Sequence, residues 1–381
     1  MADKTDISGP TSSEGVHNLQ ISGDAPVSLP EGFGLAEAAF ERSGEDIVLT
    51  DADGNSVKVE GYFAVDPPPA LLGSSGAQIS GAVAKRLAGP LEANQVIQAG
   101  TDAAHEAIGT VNTVSGMAFV IRVDGSREEV DIDTVLYAGD IIETTADGAV
   151  GFILADETTV AMGGDGRMVL DEMIYDPATQ EGSLSLFVLK GLYTVISGLV
   201  AKTDPDAMVI DTPVGSIGIR GTQIGIDFTD GENLTLVMMR EADGYVGEVF
   251  LRNESGFLVI NQANQVLFSN SINQAPVVLA SISDDTLINM FESTLLHLPQ
   301  TTENANDYDT QEPSGGGEMD EFVTESGETT EQEAPPTEDA ISVAGGSSEP
   351  APTVEAVTAA TEETEISETS ETDLAATTTE T

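Results

Sequence analysis

Short apolar runs, some strictly alternating with polar residues and some continuous, fill the middle of this chain and are separated by Gly, Asp and Asn. Ala118-Phe-Val-Ile-Arg-Val123 precedes Asp124-Gly125, Ala149-Val-Gly-Phe-Ile-Leu154 precedes Asp156-Glu157, and Thr159-Val-Ala-Met162 follows. Ser183 to Leu189, Leu192 to Ile196, Met208 to Ile210 and Leu234 to Met239 continue the series. Turn signals at a spacing of roughly 8 to 12 residues predict strands, because each run covers one face and must stack on neighbours. No stretch of about 10 to 15 residues with helical spacing separates these strands, which disfavours a doubly wound α/β fold.

The flanks follow other periods. Asp46-Ile-Val-Leu-Thr50 and Val57-Lys-Val-Glu60 bracket Asp51-Ala-Asp-Gly-Asn55, the pattern of a β-hairpin. Asp66-Pro-Pro-Pro69 removes backbone donors and marks the end of that unit, and residues 79–87 suit one short helix. Near the other flank Ile282, Leu287, Phe291, Leu295, Leu296 and Leu298 recur at helical spacing. Ser283 to Asp285 supply an N-terminal cap and Pro299 a stop, which predicts an amphipathic helix packed on its own β domain. The expected organisation is a mobile polar leader (1–29), a small β-hairpin module (30–90), a linker (91–108), a β domain (109–275), the helix (276–300) and an acidic tail (301–381). The fold class is all-β, with a sandwich, barrel or solenoid core.

Charge changes the picture of the last segment most. The 381 residues carry 13 Lys and Arg against 66 Asp and Glu, a net charge of −53, with no Cys and no Trp. The last cation is Arg252, and 22 of the carboxylates fall in residues 301–381. A Thr-, Glu- and Ser-rich segment of that kind buries too little apolar surface to offset its ordering entropy, so it is expected to be disordered. The acidity excludes nucleic acid as a probable partner class, since phosphate contacts need clustered cations. Absence of Cys excludes disulfides, thiolate metal sites and a cysteine nucleophile. No uninterrupted apolar run reaches the roughly 18 residues of a membrane-spanning helix. Residues 1–30 lack an apolar core next to a charged start, so any export is expected to use a route that reads no N-terminal signal peptide.

The side chains offer little catalytic chemistry. His17, His105 and His297 are isolated in sequence and lack the spacing of a metal helix. Val214-Gly-Ser-Ile-Gly218 has Val where a nucleophile elbow needs Gly. The Gly-rich run Met162 to Arg167 has no Lys for a phosphate, and its Asp165 would repel one. Asp51, Asp53 and Asn55 alternate as in a calcium loop, yet Gly54 comes too early and Tyr62 stands where the closing Glu belongs. These three are weak calcium candidates within what reads as a hairpin turn, and Asp156 with Asp165 is weaker still. No other metal or cofactor is expected, and the chain is expected not to be an enzyme.

One combination of motifs is specific. Val114 to Val120, Leu136-Tyr-Ala-Gly-Asp140, Ile142-Glu-Thr144, Asp147-Gly-Ala149, Phe152 to Asp156, Gly191, Ile210-Asp-Thr-Pro213 and Ile217-Gly-Ile-Arg-Gly-Thr-Gln223 together resemble the FecR domain family. The resemblance covers about 110 residues and implies a FecR-like β domain whose marking positions are Gly139, Asp140, Thr144, Gly191, Arg220, Gly221 and Thr222. From the residues themselves, Gly139-Asp140 is a turn, and Gly221 lets another backbone approach. Arg220, in an apolar run, should be partly buried and paired with Asp140, Asp211 or Asp227. Regulators of the family proper carry an anti-sigma segment, one membrane helix and a periplasmic sensing domain. FecR-like domains also stand near the start of large adhesin-like proteins exported by type I secretion. Leu29-Pro-Glu-Gly32, Ala39 to Ile47, Gly61-Tyr-Phe63, Pro67 to Pro69 and Gly76-Ala-Gln-Ile-Ser80 look like the module that precedes the domain there. That likeness implies a secreted or cell-surface protein that meets a protein partner at the envelope or the type I machinery. The alternative is a soluble sensing module that feeds a sigma-factor pathway, cytoplasmic if it is retained.

Overall fold

A computed structural model describes residues 16–300 except 22, 24, 91–106 and 205. Most of the expected leader and linker, and the whole 301–381 tail, lie outside the described residues.

The amino-terminal module contains β1 (His17–Gln20), β2 (Val27–Ser28), β3 (Ala39–Ser43), β4 (Asp46–Thr50), β5 (Ser56–Glu60), β6 (Leu71–Leu72), β7 (Gln78–Ile79) and α1 (Gly81–Leu87). One sheet has the order β1-β5-β4-β3 and another β2-β6-β7. Ile47, Leu49, Val57 and Val59 alternate with polar neighbours and are fully buried, as a half-buried strand requires. The module is therefore more than the expected hairpin, and part of the expected leader is structured. His17–Gln20 lies parallel to β5, with Leu19 opposite Val59, because Leu19 and Ile21 pack on the module's apolar cluster.

The main domain runs through β8 (Ala107–Ser115), β9 (Ala118–Ile121), β10 (Arg127–Glu129), β11 (Val135–Tyr137), β12 (Ile141–Thr144), β13 (Ala149–Leu154), β14 (Thr159–Met162), β15 (Arg167–Asp176) and β16 (Glu181–Ile196). It continues with α2 (Leu199–Thr203), β17 (Met208–Thr212), β18 (Gly215–Arg220), β19 (Gln223–Phe228), β20 (Leu234–Met238), β21 (Glu248–Asn253), β22 (Gly256–Ile260), β23 (Val266–Ser269), β24 (Val277–Leu279) and α3 (Asp284–Leu295). Pairing gives two sheets that share β16. The first has the order β11-β8-β13-β14-β16-β19-β20-β23-β24. The second has the order β10-β9-β12-β15-β16-β17-β18-β21-β22. The chain lays hairpins alternately in one sheet and the other, a sandwich wound as a roll. Leu184 to Phe187 of β16 belong to the second sheet and Gly191 to Ile196 to the first.

The inner faces enclose a mainly aliphatic core that includes Val120, Leu136, Phe152, Leu186, Ile217, Ile226 and Leu251. Each outer face is covered by a different element. Ile141, Val169, Phe187 and Leu189 of the second sheet join the cluster of the amino-terminal module. Phe291 of α3 joins Val237, Met239 and Val266 of the first. Burial of such apolar area contributes roughly 25 cal/mol per Å² to stability.

The helix packs on its own domain, as the stripe predicts, with Ser283 as its cap: Oγ accepts the Thr286 N–H at 3.2 Å. The expected helical segment nevertheless begins with a strand. Val277–Leu279 pairs with β23, Val278 standing opposite Leu267, so the β domain extends past residue 275.

Candidate partner-binding groove at the Arg220 corner

The chain crosses from the second sheet to the first between β18 and β19, through Arg220-Gly221-Thr222. Register places Arg220 directly opposite Glu248 on β21. Its guanidinium bonds the Glu248 carboxylate and donates to Asp206 Oδ1 at 2.9 Å. The hydrogen bond with Asp206 holds Arg220 above its ordinary pKa. Neither Asp140, Asp211 nor Asp227 is the partner. Asp211 accepts from Ser216 at 2.5 Å and Asp227 from the Thr229 hydroxyl at 2.8 Å, while Asp140 lies at another corner. About a third of the Arg220 side chain is exposed, because it projects from the outer face of β18.

Gly221 has a φ of 61°, the left-handed region that favours glycine. Its own added Cβ would meet only Lys202 Cγ at 3.9 Å, whereas a Cβ on Gly247 would lie 2.0 Å from the Gly221 carbonyl oxygen. The close approach expected of Gly221 therefore depends on Gly247. Thr222 is buried and donates its N–H to Ser197 Oγ at 2.9 Å, while the Ser197 N–H returns to the Thr222 carbonyl at 3.1 Å. This reciprocal pair ties the corner to the end of β16, just ahead of α2.

The buried Asp156 fixes α2 in turn. It accepts the Thr158 hydroxyl at 2.8 Å and the Val200 N–H at 3.4 Å, and its carbonyl takes the Leu199 N–H at 2.7 Å. All of this is structural bonding, so Asp156 is spent on the fold.

Two adjoining hollows open beside the corner. A cavity of about 350 Å³ is lined by Glu157, Ser197, Lys202, Gln223, Glu241 and Asp243. A wider groove of about 810 Å³ is lined by Lys202, Arg220, Glu241, Asp243, Tyr245 and Glu248. Lys202, Glu241 and Asp243 border both. Carboxylates outnumber cations around this rim, and Tyr245 stands more than half exposed. Such a surface offers charge and one aromatic anchor to a polar or basic segment rather than an apolar pocket to a small molecule.

The remaining marked residues form two other clusters. Thr144 Oγ1 donates to the Gly163 carbonyl at 2.6 Å and accepts the Gly166 N–H at 2.9 Å, fastening the Gly-rich loop. Gly191 faces the same loop: an added Cβ would sit 2.7 Å from Gly166 Cα. Gly139 lies in the turn before Asp140, whose N–H reaches the Tyr137 carbonyl at 3.1 Å. Asp140 Oδ2 accepts Arg122 Nη1 at 2.6 Å and the Tyr137 N–H at 2.8 Å. Burial pushes the Asp140 carboxyl up from its ordinary value even beside Arg122. Reasoning from sequence missed the role of Arg122, which only register brings to Asp140. Both carboxylate oxygens of Asp51 take donors from Asn55, at 2.8 and 2.9 Å. Those bonds close the hairpin, and no group of three candidate metal ligands, Asp53 included, occurs among the described residues.

Residues 140–240 match the family model described as FecR protein. The FecR segment thus starts at the Asp140 corner, includes the Arg220 corner and ends beside the groove residue Glu241. No curated protein matches the chain. Two crystal structures designated an anti-sigma factor from Parabacteroides distasonis are 11% and 10% identical, with TM-scores of 0.30 and 0.28. Each likeness covers 39% of this chain and 62% of the other. At that distance it carries no argument about activity. No helix among the described residues is long and apolar enough to cross a membrane.

Proposed function

We propose that this chain is a non-enzymatic sensing module of the cell envelope, in which the FecR segment takes up a protein partner at the Arg220 groove and relays its presence to a sigma-factor pathway. The observation that carries this reading is the coincidence of the family match with the groove: Arg220, Gly221 and Lys202 lie inside the matched residues and Glu241 adjoins them. The excess of rim carboxylates suits a partner segment with Lys or Arg, and exposed Tyr245 supplies a stacking or cation–π contact. A second reading, a secreted surface module, is supported by the folded amino-terminal module that carries Leu29 to Gly32 and Gly61 to Phe63.

Deleting the gene and restoring it as wild type or as Arg220→Ala/Tyr245→Ala separates the two. The regulator reading expects a changed set of sigma-dependent transcripts on deletion, restored by the wild type and not by the double variant. Unchanged transcripts, together with exporter-dependent release of the chain into the medium, would overturn it in favour of the surface module.

A further inference from the structure

The two ends of the roll differ in chemistry. At one end the second sheet closes with β10, Arg127-Glu-Glu129, whose three residues are all exposed and charged. Charges on an edge strand protect it from pairing with another chain. At the other end the sheets close with β22 and β24, and neither has a second strand beside it among the described residues. Here protection by charge is missing. From Ser255 to Ser283 the sequence has no Asp, Glu, Lys, Arg or His, in a chain of which 21% is charged.

The bare end is also apolar. On β24 Val277, Val278 and Leu279 are 46%, 50% and 45% exposed, and on β22 Phe257 and Val259 are 53% and 38% exposed. Val278 stands opposite the core residue Leu267, so it sits where the core of the sandwich opens to solvent. Adjacent exposed apolar edges of this kind mark an interaction surface.

We infer that this end joins a second copy of the chain, β24 pairing antiparallel with β24 and β22 with β22 about a two-fold axis. Charge selects that occupant. Two molecules that each carry −53 repel over most of their surface, and the charge-free end is where like can meet like. The arrangement is also self-complementary, since a single two-fold perpendicular to both sheets makes each edge antiparallel to its own copy. Head-to-tail stacking would instead set β22 against charged β10 and β24 against β11, whose Val135 carbonyl already accepts from Arg122.

The absence of Cys makes the test clean. In the full chain, single Val277→Cys, Val278→Cys and Leu279→Cys variants place one thiol along the edge, and Glu128→Cys places one at the opposite end. A disulfide needs Cα atoms within about 7 Å, so mild oxidation should link one or two of the three β24 variants into dimers and leave Glu128→Cys monomeric. Light scattering on the wild type should show a concentration-dependent dimer that tightens with added salt, which screens the net repulsion. Val278→Lys should weaken it by roughly tenfold or more while the variant keeps the wild-type circular dichroism. A wild type that stays monomeric at every concentration, or cross-linking of Glu128→Cys as readily as of the β24 variants, would overturn the inference.

Discussion

The Asp140 corner and the Arg220 corner lie near the two ends of the FecR segment, and each pairs an arginine with carboxylates. At the first, the carboxylate is 1% exposed and Arg122 17%, and the pair also gathers the Tyr137 N–H and the Val135 carbonyl. At the second, Arg220 is 36% exposed and Asp206 74%. One domain thus contains a pair turned inward and a pair turned outward. The inward pair holds strands together because its members have no water to fall back on. The outward pair costs little to rearrange, which leaves its charges available to a partner.

The inward corner should break hardest. Asp140→Ala leaves the Tyr137 N–H without its acceptor and Arg122 without its buried one, a loss of about 2 to 3 kcal/mol. Urea unfolding at neutral pH measures it. Asp140→Asn keeps an acceptor oxygen and should lose much less. The pH dependence has a definite sign. Burial raises the folded pKa of Asp140 above its unfolded value near 3.8, so the folded state binds this proton more tightly. The contribution of the group to stability is greatest below that unfolded value and falls as pH rises through the folded one. Asp140→Asn should remove that falling segment from the stability profile; an unchanged profile would reassign the burial effect.

The glycines of the outward corner give an effect of intermediate size. Gly247→Ala would drive a Cβ against two carbonyl oxygens, 2.0 Å from that of Gly221 and 2.3 Å from that of Arg220. Backbone cannot swing aside as a side chain does, so a loss of about 2 kcal/mol is expected. Gly221→Ala makes only an ordinary contact with Lys202 Cγ and pays the left-handed conformation, about 1 kcal/mol. Thermal melts of the two variants should rank Gly247→Ala as the more damaging, with the groove displaced.

What the chain discloses before folding follows from the range of each interaction. Alternation is local, so Ile47-Val-Leu49 and Val57-Lys-Val59 announce their hairpin, and the Ser283 cap with its apolar stripe announces α3. Ion-pair partners are not local. Arg220 meets Glu248 because β18 and β21 are neighbours in the second sheet, and Arg122 meets Asp140 because β9 and β12 are. No spacing in the sequence encodes either adjacency, which is why the sequence offers Asp140, Asp211 and Asp227 to Arg220 and passes over Asp206 and Glu248. Val277–Leu279 was hidden for another reason: three apolar residues just after Pro276 are too few to show a period, and they merge with the helix that follows. The same shortage of period concealed His17–Gln20, whose strand depends on Leu19 finding the module's core.

The smallest effect on stability belongs to Arg220 itself, and its smallness is the informative part. Arg220→Ala removes two ion pairs, one to the mostly exposed Asp206 and one to the half-buried Glu248. Pairs with that much solvent contribute about 0 to 1 kcal/mol each and weaken further in salt. Removing the guanidinium also frees the Phe250 ring, 5.6 Å from it, which still lies across Gly218. The melting temperature should therefore move by only a few degrees, and by less at high salt, while capture of a basic partner changes measurably, because Arg220 no longer holds Asp206 and Glu248. If Arg220→Ala instead destabilised the fold as much as Asp140→Ala, the two corners would be equivalent clamps, and the outward one would have no charge to spare for recognition.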